Sequence, residues 1–222
     1  MILGIDTSLG TAVAVADTDG AVHAEASSPD PLGHAEIIGT LLQNVMTDSA
    51  RGPIGATGVP QAVALTAVAA GMGPGPFTGL RVGIAAARAF ALGRGIPVVP
   101  VASHDAAALA ILLADPFADV PRFAVVTDAR RREFAYTVYE GVDDDGLPVR
   151  ADRPALSTRD DIDAVLAAAG AERRDVTAIP GAMVALVAAR ALAADRVEHL
   201  DEPLYLRAPD VTPPAARKKV GS

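Results

Sequence analysis

A short strand, an aspartate, a tight turn and a second strand occur at residues 1–17 and again at 123–140. Both copies run on into helix, strand and helix, so the chain reads as one β-rich α/β unit written twice, with its seam near Asp115–Pro121. Two similar halves facing a cleft form an architecture that binds nucleotides in some superfamilies. At 222 residues the chain can bury a real core, and with half its residues apolar and 21% charged it has a globular composition. Lys and Arg number 19 against 27 Asp and Glu, a formal charge of -8, which is the wrong balance for gripping a nucleic-acid backbone unaided. Aromatic residues at 4%, with no Trp, argue against a base-stacking platform. The absence of Cys excludes disulfides, thiolate metal sites and a cysteine nucleophile. Met1–Asp6 has no basic stretch before an apolar one, and Arg, Gly or Pro interrupts the apolar segments. Neither a signal peptide nor a membrane span is expected, and the expected location is cytoplasmic.

Met1–Asp6 and Thr11–Asp17 read as a hairpin, with a third strand at Ala21–Ala26 after the Asp19-Gly20 turn. Ile37, Ile38, Leu41, Leu42, Val45 and Met46 recur at helical spacing. Arg51–Pro60 reads as a loop, Thr66–Ala70 as a strand of small residues, and Gly71–Phe77 as a stretch too rich in Gly and Pro for a helix. A second helix is predicted from Thr78 to about Leu92, stopped by Gly93 and Gly95. Pro97–Val101 reads as a strand, and Ser103 as the cap of a helix to about Ala114. Strands follow at Phe123–Thr127 and Glu133–Glu140, then an acidic turn at Gly141–Gly146. The pattern then predicts a helix near Thr158–Ala169, a strand near Val176–Ile179 and a helix near Ala182–Ala194. The division expected is 1–116, 117–210 and a disordered basic tail, 211–222, with two prolines before Arg217-Lys218-Lys219.

The familiar catalytic patterns fail on their details. Gly71–Gly79 follows a strand and opens a helix, the context of a phosphate loop, but no Lys is near and Pro74 and Pro76 each remove a backbone N–H. A rigid turn setting the helix against the sheet is the better reading. Gly75–Gly79 has the outer glycines of a nucleophile elbow with Phe77 in its centre. Ser103-His104-Asp105 spells a triad, yet helix neighbours point about 100° apart and cannot converge. His23, His34, His104 and His199 have no i, i+4 partner, and Asp143-Asp144-Asp145 lacks calcium-loop spacing, so no metal site is expected. Asp6-Thr7-Ser8 is a carboxylate with hydroxyls in a tight turn, able to hold a metal–phosphate group. Its counterpart at Asp128-Ala129-Arg130-Arg131 has no glycine to let backbone approach an anion, so the pair reads as a nucleotide cleft with one jaw altered.

The two N-terminal helices carry the strongest physical argument. Gly79, Gly83, Ala87 and Ala91 form an i, i+4 strip that admits a close neighbour. Leu80, Val82, Ile84 and Phe90 make the other faces apolar, so this helix needs cover on more than one side. The neighbour is either the Ile37–Met46 helix or a partner protein. Arg81 and Arg88 share a face at the rim.

Gly73-Pro74-Gly75-Pro76-Phe77-Thr78-Gly79-Leu80-Arg81-Val82-Gly83 resembles the signature of the TsaB (YeaZ) family, which has Ser where Pro76 stands. The resemblance extends to Ile5–Ser8, His34-Ala35-Glu36, Asp128–Arg130 and Pro203–Arg207, nearly the whole chain. It implies the duplicated actin-like, sugar kinase and Hsp70-type (ASKHA) fold with two similar βα subdomains. It implies a scaffold role in making N6-threonylcarbamoyladenosine at position 37 of tRNAs that read ANN codons. The catalytic subunit there is the paralogue TsaD, which holds a metal through an H-x-x-x-H helix; here His34 is followed by Ile38, so that pattern is missing. The implied TsaD-like partner meets His34, Ile37, Ile38, Leu41, Leu42 and Val45 on one helix, and Gly79, Arg81, Val82, Gly83 and Ala87 on the other. A TsaE-like ATPase joins them, tRNA is held mainly by the partner, and a homodimer is the form open to the isolated chain. Asp6, Thr7, Ser8, Asp128 and Arg130 are left as a vestigial nucleotide cleft, with no tightly bound cofactor and ATP or ADP, if anywhere, at the shared interface. The competing expectation is a stand-alone ATP-binding enzyme or peptidase of the same fold.

Overall fold

The computed structural model describes residues 1–51, 64–115, 120–200 and 202–207. The first half runs β1 (Ile2–Asp6), β2 (Thr11–Ala16), β3 (Val22–Ser28), α1 (His34–Ser49), β4 (Ala67–Gly71), α2 (Phe77–Arg94), β5 (Val98–Val101) and α3 (Ser103–Ala114). The second runs β6 (Phe123–Asp128), β7 (Glu133–Val142), β8 (Pro148–Arg150), β9 (Ala155–Thr158), α4 (Ile162–Ala168), β10 (Glu172–Asp175) and α5 (Gly181–Ala193). Most of the 51–60 loop, the middle of the expected seam and the 211–222 tail lie outside the described residues.

The duplication is visible in the pairing. β1 pairs antiparallel with β2 and parallel with β4; β6 pairs antiparallel with β7 and parallel with β10. The first sheet has the order β3-β2-β1-β4-β5 and the second β10-β6-β7-β8, with β9 also on β7. β1 and β2 are buried at every residue because helices cover both faces of their sheet, which explains their nearly unbroken apolar runs.

On one face of the first sheet, Ile38, Leu41 and Val45 of α1 and Leu80, Ile84, Ala87 and Ala91 of α2 pack on Leu3, Ile5, Val13, Val15 and Val68. On the other face a second core joins Ile2, Ala69 and Val101 to α3 and α5, and through them to Phe123, Val125 and Tyr139 of the second sheet. The last helix of each half therefore packs on the other half's sheet: α3 against β6, β7 and β8, α5 against β1, β2 and β4. Layered in this order, α1 and α2, sheet, α3 and α5, sheet, and α4 give two lobes that share their middle layer. Gly4 permits the close seat of α5. A Cβ there would stand 2.2 Å from the Gly181 carbonyl oxygen and 2.9 Å from the Ala185 nitrogen.

Three sequence expectations are corrected. The strand expected at Val176–Ile179 is four residues earlier, at Glu172–Asp175. That strand lies at a sheet edge and alternates charges, with Arg174 on Glu172 and Arg173 on Asp175; charge protects an edge, while the apolar run beside it packs as a loop. The helix expected from Thr158 starts at Ile162, because Ala155–Thr158 is β9, paired with β7. Ser103 is not a cap. It is the first helical residue, after Ala102, and its hydroxyl is used elsewhere. By contrast, α2 stops as its glycines predict, with Gly95 at φ 64° receiving the chain.

Candidate functional site

The turn after β1 is closed on itself. The Asp6 carboxylate accepts from the Ser8 amide (2.7 Å), the Ser8 hydroxyl (2.6 Å) and the Ser103 hydroxyl (2.5 Å), and Ser103 accepts from the Gly73 amide (3.0 Å). Asp6 is 2% exposed. Burial raises its pKa above the usual carboxylate value, although the Ser103 and Ser8 hydrogen bonds and His34 pull the other way. Gly71 makes room for the carboxylate, since a Cβ there would stand 1.9 Å from Oδ2. Thr7 donates to the Gly79 carbonyl (2.7 Å) and fills the notch at Gly83, whose absent Cβ would meet its Oγ1 at 2.2 Å. His34 takes the other side of Gly79 and bonds Thr11 through Nδ1 at 2.9 Å. The small-residue strip thus admits Thr7 and the start of α1.

The turn after β6 is open. Asp128 is exposed and accepts from the Arg130 amide (2.8 Å) and Arg159 (3.0 Å), and the backbone bond leads in holding its carboxyl below the usual range. Arg130, Arg131 and Arg132 follow at φ 62°, 50° and 63°. The two turns face each other across a cleft of about 240 Å³, lined by Pro74–Phe77 from one lobe and Thr127–Arg131 from the other. Residues 203–207 cross it. Leu204 donates to the Met72 carbonyl (2.8 Å), the Tyr205 ring packs at a tilt of 36° on Phe77 (4.7 Å between centroids), and Arg207 pairs with Glu133. Arg81 lies over the Phe77 ring (3.8 Å) and donates to the Tyr205 hydroxyl (3.2 Å), so the start of α2 is tied to this crossing segment. The sequence motifs at Gly73–Gly83 and Pro203–Arg207 are therefore two sides of one contact. The signal was available: Phe77 and Tyr205 belong to a set of only five Phe and three Tyr.

Ser103, His104 and Asp105 point three ways. Ser103 serves Asp6, His104 bonds Thr137 (2.8 Å) and Thr127 (3.0 Å), and Asp105 receives Tyr139 (2.7 Å) and Arg150. The triad is thus rejected by geometry. The Asp105–Arg150–Tyr139 group was not legible, because its members are 34 and 45 residues apart from Asp105. Among the described residues no three His, Asp or Glu side chains gather as metal ligands, and no helix is long and apolar enough to cross a membrane.

The residues expected at a partner surface divide by burial. Ile38, Leu41, Val45, Gly79, Gly83, Ala87 and His34 are covered by this chain's own sheet and turns. Ile37, Leu42 and Val82 are half-buried, and Arg81 is exposed. Beside Val82, the outward face of α2 carries exposed Ala85, Ala89 and Leu92, the last 84% exposed. The sequence reading counted Val82 among the apolar faces of this helix but did not place Ala85, Ala89 or Leu92 in one outward row with it.

Two β-rich lobes with matching strand–aspartate–turn units and exchanged last helices define a protein of the ASKHA class. The model of the family described as "TsaD: tRNA N6-adenosine threonylcarbamoyltransferase" matches residues 32–156, and the chain belongs to that family. An uncharacterized protein of Mycobacterium tuberculosis is 37% identical over 222 residues, covering 96% of this chain and 94% of that one. A tRNA N6-adenosine threonylcarbamoyltransferase of Chromobacterium violaceum is 34% identical over 133 residues, 57% of this chain and 39% of that protein. YeaZ from Pseudomonas aeruginosa superposes with a TM-score of 0.68 at 19% identity, covering 92% of this chain and 99% of that one. A second Pseudomonas aeruginosa structure, of an uncharacterized protein with similarity to peptidase YeaZ, gives 0.71 at 21%, covering 93% and 99%. The fold is thus YeaZ-like, and the family ties the protein to threonylcarbamoyl modification of tRNA adenosine.

Proposed function

We propose that the protein is a non-catalytic scaffold subunit of the complex that moves threonylcarbamoyl from threonylcarbamoyl-AMP to N6 of adenosine 37 in tRNAs reading ANN codons. Its partner is a TsaD-like catalytic paralogue, joined by a TsaE-like ATPase. tRNA is held mainly through the partner, and ATP or ADP, where present, sits at the shared interface. In isolation the same face makes a homodimer. The observation that carries this reading is the pairing of a self-satisfied Asp6 turn with an outward α2 face of Val82, Ala85, Ala89 and Leu92 rimmed by Arg81. The carboxylate is already spent on its own chain, while the helix offers a flat apolar row to another.

The interface is tested on the exposed row. Ala85→Glu with Ala89→Glu touches no core residue, so the fold should hold within about 0.5 kcal/mol per site. A charge buried without a partner costs roughly 3–5 kcal/mol, so affinity for the TsaD-like protein should fall at least about a hundredfold. Sedimentation of the mixed proteins reads this directly. An intact complex would sink the assignment.

Asp6 separates the scaffold from a stand-alone enzyme. Asparagine keeps Oδ1 as an acceptor for Ser8 and can donate to Ser103, so Asp6→Asn should support normal threonylcarbamoyl content in tRNA when it replaces the wild type in cells. An enzyme that uses Asp6 as its phosphate-side carboxylate would lose activity and magnesium–ATP binding together. The stability readout has a fixed sign. A raised pKa gives the native state a contribution that is full below 3.8 and is lost as pH rises through the folded value. The asparagine variant should therefore gain on the wild type as pH climbs from 4 to 7, as paired urea titrations would show.

A further inference from the structure

The cleft of about 240 Å³ between the two turns has two kinds of wall. Pro74, Pro76 and Phe77 form one side, and Ala135 and Leu156 lie in the other lobe. The prolines bring no N–H, so this lining offers carbon and a ring face. Its charge is less balanced. Arg207 is held by Glu133 and donates to the Ala129 carbonyl, and Asp128 is held by Arg159. Arg130 also lines the cleft and is exposed; its amide donates to Asp128, its carbonyl accepts from the Glu133 amide, and its guanidinium, near enough to Asp128 to act on it through charge, makes no hydrogen bond among the described residues. The turn that carries it holds three arginines in a row at φ 62°, 50° and 63°, a conformation glycine would adopt with less strain. Such strain persists where the surrounding structure fixes it, commonly at ligand clamps. The first lobe closes its own end of the cleft. Ser8 is engaged with Asp6, and a Cβ on Gly75 would come within 2.8 Å of the Ser8 Cα. Among the described residues the Asp6, Thr7 and Ser8 side chains are all engaged within the chain, and there is space for one small molecule with one charged end.

We infer that this cleft binds a small organic monoanion, with an apolar body between Phe77 and Leu156 and a carboxylate on the Arg130 guanidinium. The pairing matches a charge-assisted fork to a lining guanidinium that makes no hydrogen bond among the described residues, and a flat body to a wall where Pro74 and Pro76 bring no N–H. The site is independent of the scaffold reading, since its test uses the isolated full chain and measures binding alone. Benzoate is the probe, followed by calorimetry and by the NMR signals of the Phe77 ring. Benzoate should bind and shift that ring. Arg130→Gln, an exposed position, should weaken it about tenfold or more, Arg153→Gln, at another exposed position, should leave it unchanged, and the neutral isostere benzyl alcohol should lose a similar factor. Failure of benzoate to bind at about 10 mM would overturn the inference. So would binding that is indifferent to Arg130→Gln, equal binding of inorganic phosphate, or a preference for magnesium–ATP.

Discussion

Between pH 7 and pH 4.5 the native protein is expected to lose about 2.5 kcal/mol of stability through His104 alone. The imidazole is 0% exposed and lies between the Thr127 and Thr137 hydroxyls, which satisfy both ring nitrogens of the neutral form. Burial, helped by the nearby Arg150 cation, lowers its pKa from 6.5 to about 3. The unfolded chain therefore takes up a proton below pH 6.5 that the native state refuses, and stability falls as pH drops toward the folded value. The slope approaches roughly 1.4 kcal/mol per unit. Asp6 works in the opposite direction, and exposed carboxylates add small losses of their own, so the clean measurement is a comparison. Urea titrations of wild type and His104→Gln, each at pH 7, 6, 5 and 4.5, should diverge in slope whatever the cost of the substitution at neutral pH. Parallel curves would mean that the ring is neither neutral nor buried. The consequence is architectural. His104 belongs to the first half and its partners to the second, so acid loosens the seat of α3 on the second sheet.

The residues that carry this effect also show what the sequence can and cannot say. The duplication was readable because strand, aspartate, turn and strand are local in both copies. Helix α2 was readable from its apolar spacing and the glycines that end it. What local pattern cannot reach is contact between segments distant in the chain. Ser103-His104-Asp105 spelled a triad that helix geometry ruled out, with Ser103 read as a cap, yet each side chain is fixed by a residue at least 23 positions away: Asp6, Thr127 and Thr137, and Tyr139 with Arg150. β10 was missed for the reverse reason. Its Glu-Arg-Arg-Asp sequence is what a protected edge requires and what a hydrophobicity reading passes over. At the site, the Asp6 turn was found, but its closure by Ser103 depends on α3 starting directly beneath it. Which residues of α1 and α2 stay exposed was half legible. Helical spacing separates faces, but it does not tell which face a sheet takes, and Ala85 and Ala89 carry too little hydrophobic signal to stand out.

Replacing Arg150 by Met should destabilise the protein by about 3–5 kcal/mol, because it strands a carboxylate inside the structure. Arg150 reaches Asp105 through Nε (2.7 Å) and Nη2, and continues to Glu198 through Nη1 (2.9 Å) and Nη2 (3.0 Å). Burial opposes the guanidinium charge, but the Asp105 and Glu198 carboxylates outweigh it and hold Arg150 firmly protonated. In the single variant Asp105 keeps only the Tyr139 hydroxyl (2.7 Å). At this chain length a loss of that size lowers Tm by roughly 6–20 °C. Asp105→Asn alone should cost much less, about 1–2 kcal/mol, since Arg150 retains Glu198 at the half-exposed end. The double variant should recover most of the Arg150→Met loss, giving a coupling of about 2 kcal/mol or more between the two positions. That coupling should survive roughly 0.5 M salt, because both side chains are largely shielded from solvent, at 21% and 12% exposure. Additive losses, or a coupling that salt abolishes, would mean the pair is an ornament of the surface. If it holds, the ion pair and His104 together pin one face of α3 to the second sheet while Ser103, at its start, closes Asp6 in the first. The spacing of the two turns, and with it the cleft between them, is then set by a single helix read from both sides.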